Sequence, residues 1–257
     1  MIDEGRNNSY GGDDLDDELD YVVDLDHGSE AEADVTDETA AIATVNTSTD
    51  AKRKRDKNKK DSKLKKKLRM EEECDKKRQL ALLPSDIIAD YLAKRVKQVH
   101  KELSTIELNE LYIPSSQIVQ TSDFIDRELK SLPKFLKKYT SPKGEGSIII
   151  LSSSALRVCD VYRAIRSSVS SVKLISKNSL QHDKDLINKV HPKVLLSTPL
   201  RTVKLIDEQI ISNSIETVVI DSTFLDVKKR HVVDDEHFAE SMRQLKDRSV
   251  DCKFIFY

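Results

Sequence analysis

Val194-Leu195-Leu196-Ser197-Thr198-Pro199-Leu200-Arg201 and, one helix-length later, Val218-Val219-Ile220-Asp221-Ser222-Thr223-Phe224 decide the fold. Each stretch opens with a short apolar run, 194–196 and 218–220, that reads as a strand buried on both faces, and each run ends in small polar residues. Between them Val203, Ile206 and Ile210 recur at helical spacing over residues 201–211, so the unit is strand, helix, strand. Ligands of open α/β sheets sit beyond the carboxyl ends of the strands, which puts Thr198, Pro199, Arg201 and Asp221 on the functional rim.

The alternation extends both ways. Upstream, 148–151 reads as a strand, 155–169 as a helix, 172–175 as a strand and 180–190 as a helix. The 194–196 strand, a helix over 200–211 and a strand over 217–220 follow, then a helix over 237–245 and a last strand over 254–256. Five strands separated by helices require right-handed crossovers and a parallel sheet covered on both faces, so the expected class is α/β. A helical extension, residues 84–140, precedes this lobe of 141–257, and order is expected to begin at Pro84. In it Ser85 caps a helix with Ile87, Ile88, Tyr91, Leu92, Val96 and Val99 on one face, and Ser104-Thr105-Ile106-Glu107 is a capping box opening a helix to Leu111. Pro114 ends that helix, a third is expected over 123–139 with a kink at Pro133, and a turn over 142–146 leads into the sheet.

The net charge of −2 conceals a segregation. Residues 1–50 hold 16 acidic residues against one basic, residues 51–80 hold 15 basic against 6 acidic, and the remainder carries a charge of +4. The acidic segment has too few apolar residues to offset the entropy of ordering and reads as a disordered tail, either solubilising or a docking segment for a basic partner with an anchor in 19–25. Within the basic segment, 51–83, Lys52, Arg53, Lys54, Arg55, Lys59, Lys60, Lys65, Lys66 and Lys67 form the clusters that import receptors or phosphates read, with a solvated charged helix or a fold-back on the tail as the competing readings. Cys74, Cys159 and Cys252 have neither disulfide nor zinc spacing, no apolar run reaches the ~20 residues of a membrane span, and the acidic N-terminus has no signal-peptide core. An intracellular protein in a reducing compartment, with no metal, is expected.

Thr198-Pro199-Leu200-Arg201 after a strand resembles the Thr-Pro-Gly-Arg element of DEAD-box RNA helicases, and Asp221-Ser222-Thr223-Phe224 stands where their Asp-Glu-Ala-Asp would be. Ser152, Ser153 and Ser154 take the first three positions of their Pro-Thr-Arg-Glu-Leu element. The likeness covers about 147–257 and implies a single RecA-like lobe without its start. The parts that turn over ATP are missing. No Gly-x-x-x-x-Gly-Lys-Ser/Thr loop occurs, and Lys143-Gly144-Glu145-Gly146 precedes a strand and does not open a helix. Ser222 replaces the Glu that orients water, so a metal at Asp221 would lack a phosphate cradle. The sequence stops at Tyr257, before the helicase Ser-Ala-Thr element, and a second lobe is expected to be lacking.

The whole pattern more closely resembles the nuclear family of U3-containing 90S pre-ribosomal complex subunits. The likeness rests on the acidic start, the basic segment, Leu103-Ser104-Thr105-Ile106-Glu107-Leu108 leading to Tyr112-Ile113-Pro114, and Leu196 through Arg201. It implies a nucleolar, non-enzymatic assembly factor of the small ribosomal subunit, working without cofactor or small-molecule substrate and away from membranes. The implied partners are pre-ribosomal RNA, assembly proteins and a nuclear import receptor. By analogy with the helicase elements, Thr198, Arg201, Ser152 and Ser153 are candidate RNA contacts, with Arg157 and Lys204 as additions, since hydroxyls and an Arg fork at strand ends suit phosphates. The competing reading makes Arg201 a surface ion pair with Asp207, Glu208 or another acid and Thr198 a helix cap. An aromatic content of 5% with no Trp argues against a base-stacking platform. A protein adaptor without RNA contact and, third, an active helicase are the alternatives. Asp234-Asp235-Glu236 is expected to cap the last helix.

Overall fold

The computed structural model describes residues 48–140, 146–211, 215–248 and 252–257, with side chains from residue 63 onward. The expected acidic tail with its 19–25 anchor lies outside the described residues, as does the Lys143-Gly144-Glu145 turn.

Helix α1, Ser48–Arg78, has no Gly or Pro and is rich in Lys and Arg, which lose little rotamer freedom in a helix. The basic segment is thus helical from Ala51 to Arg78, and residues 63–73 of it are exposed. Order begins before Pro84. Cys74 at the end of α1 is buried, and Leu80 and Ala81 of the following 3-10 turn are 1% exposed within the main core. Helix α2, Ser85–Val99, buries Ile88, Leu92 and Val96, and its cap position is Pro84 with no side-chain bond, in place of the expected Ser85 cap. Helix α3, Thr105–Leu111, opens on the expected capping box, with Ser104 Oγ accepting from the Glu107 amide and the Glu107 carboxylate accepting from the Ser104 amide.

A strand absent from the sequence reading follows, β1, Ile118–Val119. The helix expected over 123–139 is only its last half, α4, Leu132–Tyr139. Pro133 sits in the first turn of α4, where a missing N–H costs nothing, so it starts the helix and kinks nothing. The remaining elements alternate as expected: β2 Ser147–Leu151, α5 Ala155–Ile165, β3 Ser171–Leu174, α6 Leu180–Val190, β4 Val194–Ser197, α7 Pro199–Asp207, β5 Ile215–Ile220, α8 Phe238–Asp247 and β6 Lys253–Phe256.

The six strands form one parallel sheet in the order β1-β6-β5-β2-β4-β3. Its central strands are buried on both faces, as their unbroken apolar runs require. Side chains of alternate residues enter two cores. Ile149, Leu195, Val218 and Phe254 meet α2, α7 and α8, whereas Ile148, Ile150, Val219 and Ile255 meet Phe135 of α4 and Val158, Val161 and Ile165 of α5. The α/β class with helices on both faces is thus confirmed. The crossover after β2 runs over one face and those after β4 and β5 over the other, which opens a switch point at the carboxyl end of β2.

Candidate functional site at the carboxyl rim

At that switch point Asp221, 2% exposed, ends β5 beside Ser152 at the end of β2. Arg157, from the first turn of α5, donates from Nε to Asp221 Oδ2 at 2.7 Å and from Nη2 to Oδ1 at 3.1 Å. Ser152 Oγ adds a third bond to Oδ2 at 3.2 Å, and the Arg157 guanidinium lies 4.7 Å from the Phe224 ring centroid. Both carboxylate oxygens are therefore committed to a fork that matches them. Ser222 donates from its amide and its hydroxyl to the Tyr257 carbonyl at 2.8 and 2.7 Å, tying the loop after β5 to the end of β6. Thr223 is half-buried beside it.

Arg201 lies inside the molecule at 6% exposure, with Nε and Nη2 donating to Asp183 Oδ2 at 3.0 and 2.6 Å and Nη2 also to the carbonyls of Asn178 and Ser179. Asp183, on α6, is fully buried, so the pair pins α6 to α7. The partner is not Asp207 or Glu208, and neither outward RNA contact nor a surface ion pair describes Arg201. The Ser152 hydroxyl and two of the five N–H donors of Arg157 are likewise turned to Asp221, so these two side chains are held at the carboxylate. Thr198 occupies the cap position of α7 without a side-chain cap bond. The rim is left with Thr198, half-buried, and Ser153, whose hydroxyl is buried with no partner among the described residues, whereas Lys204, exposed, lies in the last turn of α7 away from the rim. Of the basic clusters, Lys65, Lys66 and Lys67 are exposed on α1, whereas Lys52, Arg53, Lys54, Arg55, Lys59 and Lys60 lie on its backbone before the described side chains.

Sequence reasoning missed Arg127, which closes the other end of the rim. Its guanidinium donates to the carbonyls of Phe124 at 2.6 Å, Thr121 at 2.5 Å and Phe256 at 2.8 Å, and to Thr121 Oγ1 at 3.0 Å. It also lies 5.1 Å from the Phe135 ring centroid and 5.8 Å from that of Tyr257. Burial draws the Arg127 pKa below the ordinary guanidinium value. These contacts gather the carboxyl ends of β1 and β6. The residues present do not fit the magnesium-bound triphosphate that a helicase lobe implies. A phosphate site needs convergent N–H donors, but here the backbone offers carbonyls already satisfied by a cation, and Asp221 is held by Arg157. Among the described residues no group of three His, Cys, Asp or Glu could hold a metal ion, and no helix is long and apolar enough to cross a membrane.

His231 completes the rim. Its Nδ1 accepts from the Val233 amide at 3.1 Å, which leaves Nε2 protonated and donating to the Ser222 carbonyl at 2.7 Å. Burial pushes its pKa below the ordinary imidazole value. Asp234 does not cap α8; it accepts from the His231 amide at 2.8 Å and pairs with Lys77 of α1 at 2.6 Å and Arg95 of α2 at 2.7 Å. Burial alone would raise the Asp234 pKa, but that amide and the two cations outweigh it and hold the group below the usual carboxylate range. The unfolded state takes up a proton on His231 near pH ~6.5 and the folded state resists it, so stability falls as pH drops below that value. The urea midpoint is expected to be lower at about pH 5.5 than at about pH 7.5, with the difference diminished in His231→Asn. An unchanged difference in that variant would assign the effect elsewhere.

The profile of the family described as U3-containing 90S pre-ribosomal complex subunit matches residues 34–250. Protein CMS1 of Chaetomium thermophilum is 31% identical, over 64% of this chain and 72% of that protein. Protein CMS1 of Saccharomyces cerevisiae is 28% identical, over 66% of this chain and 64% of that protein, and protein cms1 of Schizosaccharomyces pombe 27% identical, over 85% of each. Among solved structures, the helicase domain of Hef from Pyrococcus furiosus is 14% identical with a TM-score of 0.34, over 70% of this chain and 36% of that one. With the profile spanning both the helical extension and the sheet, the chain belongs to the family of U3-containing 90S pre-ribosomal complex subunits.

Proposed function

We propose that the chain is a non-enzymatic assembly factor of the small ribosomal subunit, acting in the nucleolus as a scaffold that holds pre-ribosomal RNA, assembly proteins or both. The observation that carries this reading is the rim. Its acidic group is neutralised by Arg157, and its far end is closed by Arg127 on carbonyl oxygens, leaving a rigid surface with no place for a triphosphate. Import into the nucleus by a receptor that reads the clusters Lys52–Arg55, Lys59–Lys60 and Lys65–Lys67 belongs to the same proposal. RNA contact would run through Ser153 and Thr198 at the rim, Lys204 in the last turn of α7 and the cations of α1, and would be electrostatic and weak, because few aromatic groups are available for stacking.

The adaptor reading, without RNA contact, is favoured by the burial of Arg201 on Asp183, which removes the strongest expected phosphate donor. Salt-titrated binding of a single-stranded RNA by the full chain separates the two. With RNA contact along α7 and the rim, Lys204→Glu weakens binding and flattens the salt slope by about one ion, and Ser153→Asp weakens binding by like-charge repulsion. Binding that ignores both variants and falls only when the α1 clusters are replaced removes α7 and the rim from RNA contact, and no binding at all leaves the adaptor.

A further inference from the structure

The two edges of the sheet end differently. Strand β1 is two residues long, and the chain just beyond it is gathered in by Arg127, which takes the Thr121 carbonyl. Strand β3 ends the sheet on the other side, with β4 as its one neighbouring strand among the described residues, and it contains neither Pro nor a bulge. The Val194 amide donates to the Ser170 carbonyl at 3.0 Å, and the parallel register pairs Val172 with Leu195. In such a ladder Ser170, Val172 and Leu174 turn their main-chain groups to β4, while the N–H and C=O groups of Ser171 and Lys173 point to the open side.

Two helices wall this edge, α5 on one face of the sheet and α6 on the other. At the end of α5, Tyr162 and Arg166 stand one turn apart, and Lys173 Nζ lies 5.4 Å from the Tyr162 ring centroid, so the cation of β3 rests against α5 and leaves the edge uncovered. On α6, Ile187 and His191 share a cavity with Ile210 and Ile211 beyond α7, which turns Leu186 and Val190, also one turn apart, to the β3 side. Val190 is 41% exposed. Residues 161–182 include Arg163, Arg166, Lys173 and Lys177 and no acidic residue. The acids that flank this run are engaged elsewhere: Asp160 with Arg163 at 2.6 Å, Asp183 with Arg201 in the interior, and Asp185 with the Gln181 side-chain amide at 2.8 Å. Arg166, Lys173 and Lys177 have no acidic partner among the described residues.

A phosphate backbone suits cations and N–H donors, but it would set its oxygens against the outward carbonyls of Ser171 and Lys173. Alternating donors and acceptors are matched by another strand, and side chains of a strand alternate between the two faces. We propose that the open edge of β3 takes up an extended segment of a protein partner as an added strand, with Asp or Glu at alternate positions beside Arg166 and Lys173 and apolar residues between them beside Leu186 and Val190. The proposal rests on the reading of the chain as a scaffold among assembly proteins and names the chemistry of one partner.

The test places a photo-crosslinking residue at Ser170 or at Val190, both exposed, in the full chain purified in its native complexes, with Ile106 on α3, 75% exposed, as the control position. One protein segment in which acidic and apolar residues alternate is expected from both edge positions and not from the control. Ser171→Pro removes an outward N–H while keeping the β4 ladder and every charge, and the Ser171 hydroxyl has no partner among the described residues to lose. Crosslink yield at Val190 is expected to fall by about fivefold or more in Ser171→Pro, to stay unchanged in Ser171→Ala, and to fall by about as much in Arg166→Glu/Lys173→Glu. A urea titration checks that Ser171→Pro is folded, and if it is not, the charge-reversed variant alone decides. Crosslinks to RNA, to a second copy or to another part of this chain, crosslinks to segments without acidic residues, or yields that either folded variant leaves unmoved overturn the added strand while leaving the scaffold reading in place. No crosslink from either edge position also overturns it, and failure of the chain to co-purify with pre-ribosomal particles overturns both.

Discussion

Arg127→Met is expected to destabilise the fold by about 3 kcal/mol, because the variant keeps the aliphatic stem but leaves buried carbonyls without a donor, each worth about 1–3 kcal/mol less whatever water recovers. The carbonyls concerned belong to Phe124, Thr121 and Phe256, the last at the end of β6, so the loss loosens β1 and β6 together. Arg127→Lys, a point cation that cannot fork, is expected to recover less than half. In urea titration the midpoint should fall with the slope unchanged, and the melting temperature should drop by roughly 6–12 °C for a lobe of this size. A loss under about 1 kcal/mol would mean that water replaces the guanidinium and that the rim is not closed by it.

The second large effect is at Arg201 and Asp183. Removing one partner of a buried pair leaves an uncompensated charge, so Asp183→Ala and Arg201→Met are each expected to cost about 3–5 kcal/mol. Asp183 is fully buried and also accepts from Asn178 Nδ2 at 2.9 Å, which places the alanine variant at the upper end of that range. Asp183→Leu/Arg201→Met, which removes both charges, is expected to lose less than either single variant, and a double-mutant cycle from urea titrations measures the coupling. Additive losses would show that the pair contributes no mutual stabilisation. Because Arg201 works inside the molecule, RNA binding by variants that remain folded is expected to be unchanged at this position.

The sheet was legible for a physical reason. Strands buried on both faces must be continuous apolar runs, and 148–151, 194–196 and 218–220 have no other use for such composition. Strand β1 was hidden because two residues flanked by polar ones show no period, and it is defined only by its pairing with β6. The basic helix lacked the apolar stripe by which helices are found, although its freedom from Gly and Pro was visible. Pro133 starts the helix because the helical spacing of Phe124, Leu129 and Leu132 runs across a break, where the Phe124 carbonyl turns to Arg127 and Leu129–Ser131 forms a 3-10 turn.

At the rim, residue types were legible and their orientation was not. Asp183 gave a readable signal, a carboxylate on the apolar stripe of Leu180, Leu186 and Ile187, which an interior helix face tolerates only with a partner. Pairing it with Arg201 needed the packing of α6 on α7. The Arg127 fork, drawing on residues as far apart as Thr121 and Phe256, left no local mark in the sequence.

That the rim is closed by the chain's own guanidinium groups is tested most directly by titrating the full chain with a fluorescent ATP analogue in the presence of magnesium. No saturable binding is expected up to about 1 mM, a ceiling equivalent to roughly 4 kcal/mol of binding free energy. Tight, magnesium-dependent binding that is lost in Asp221→Ala would contradict it.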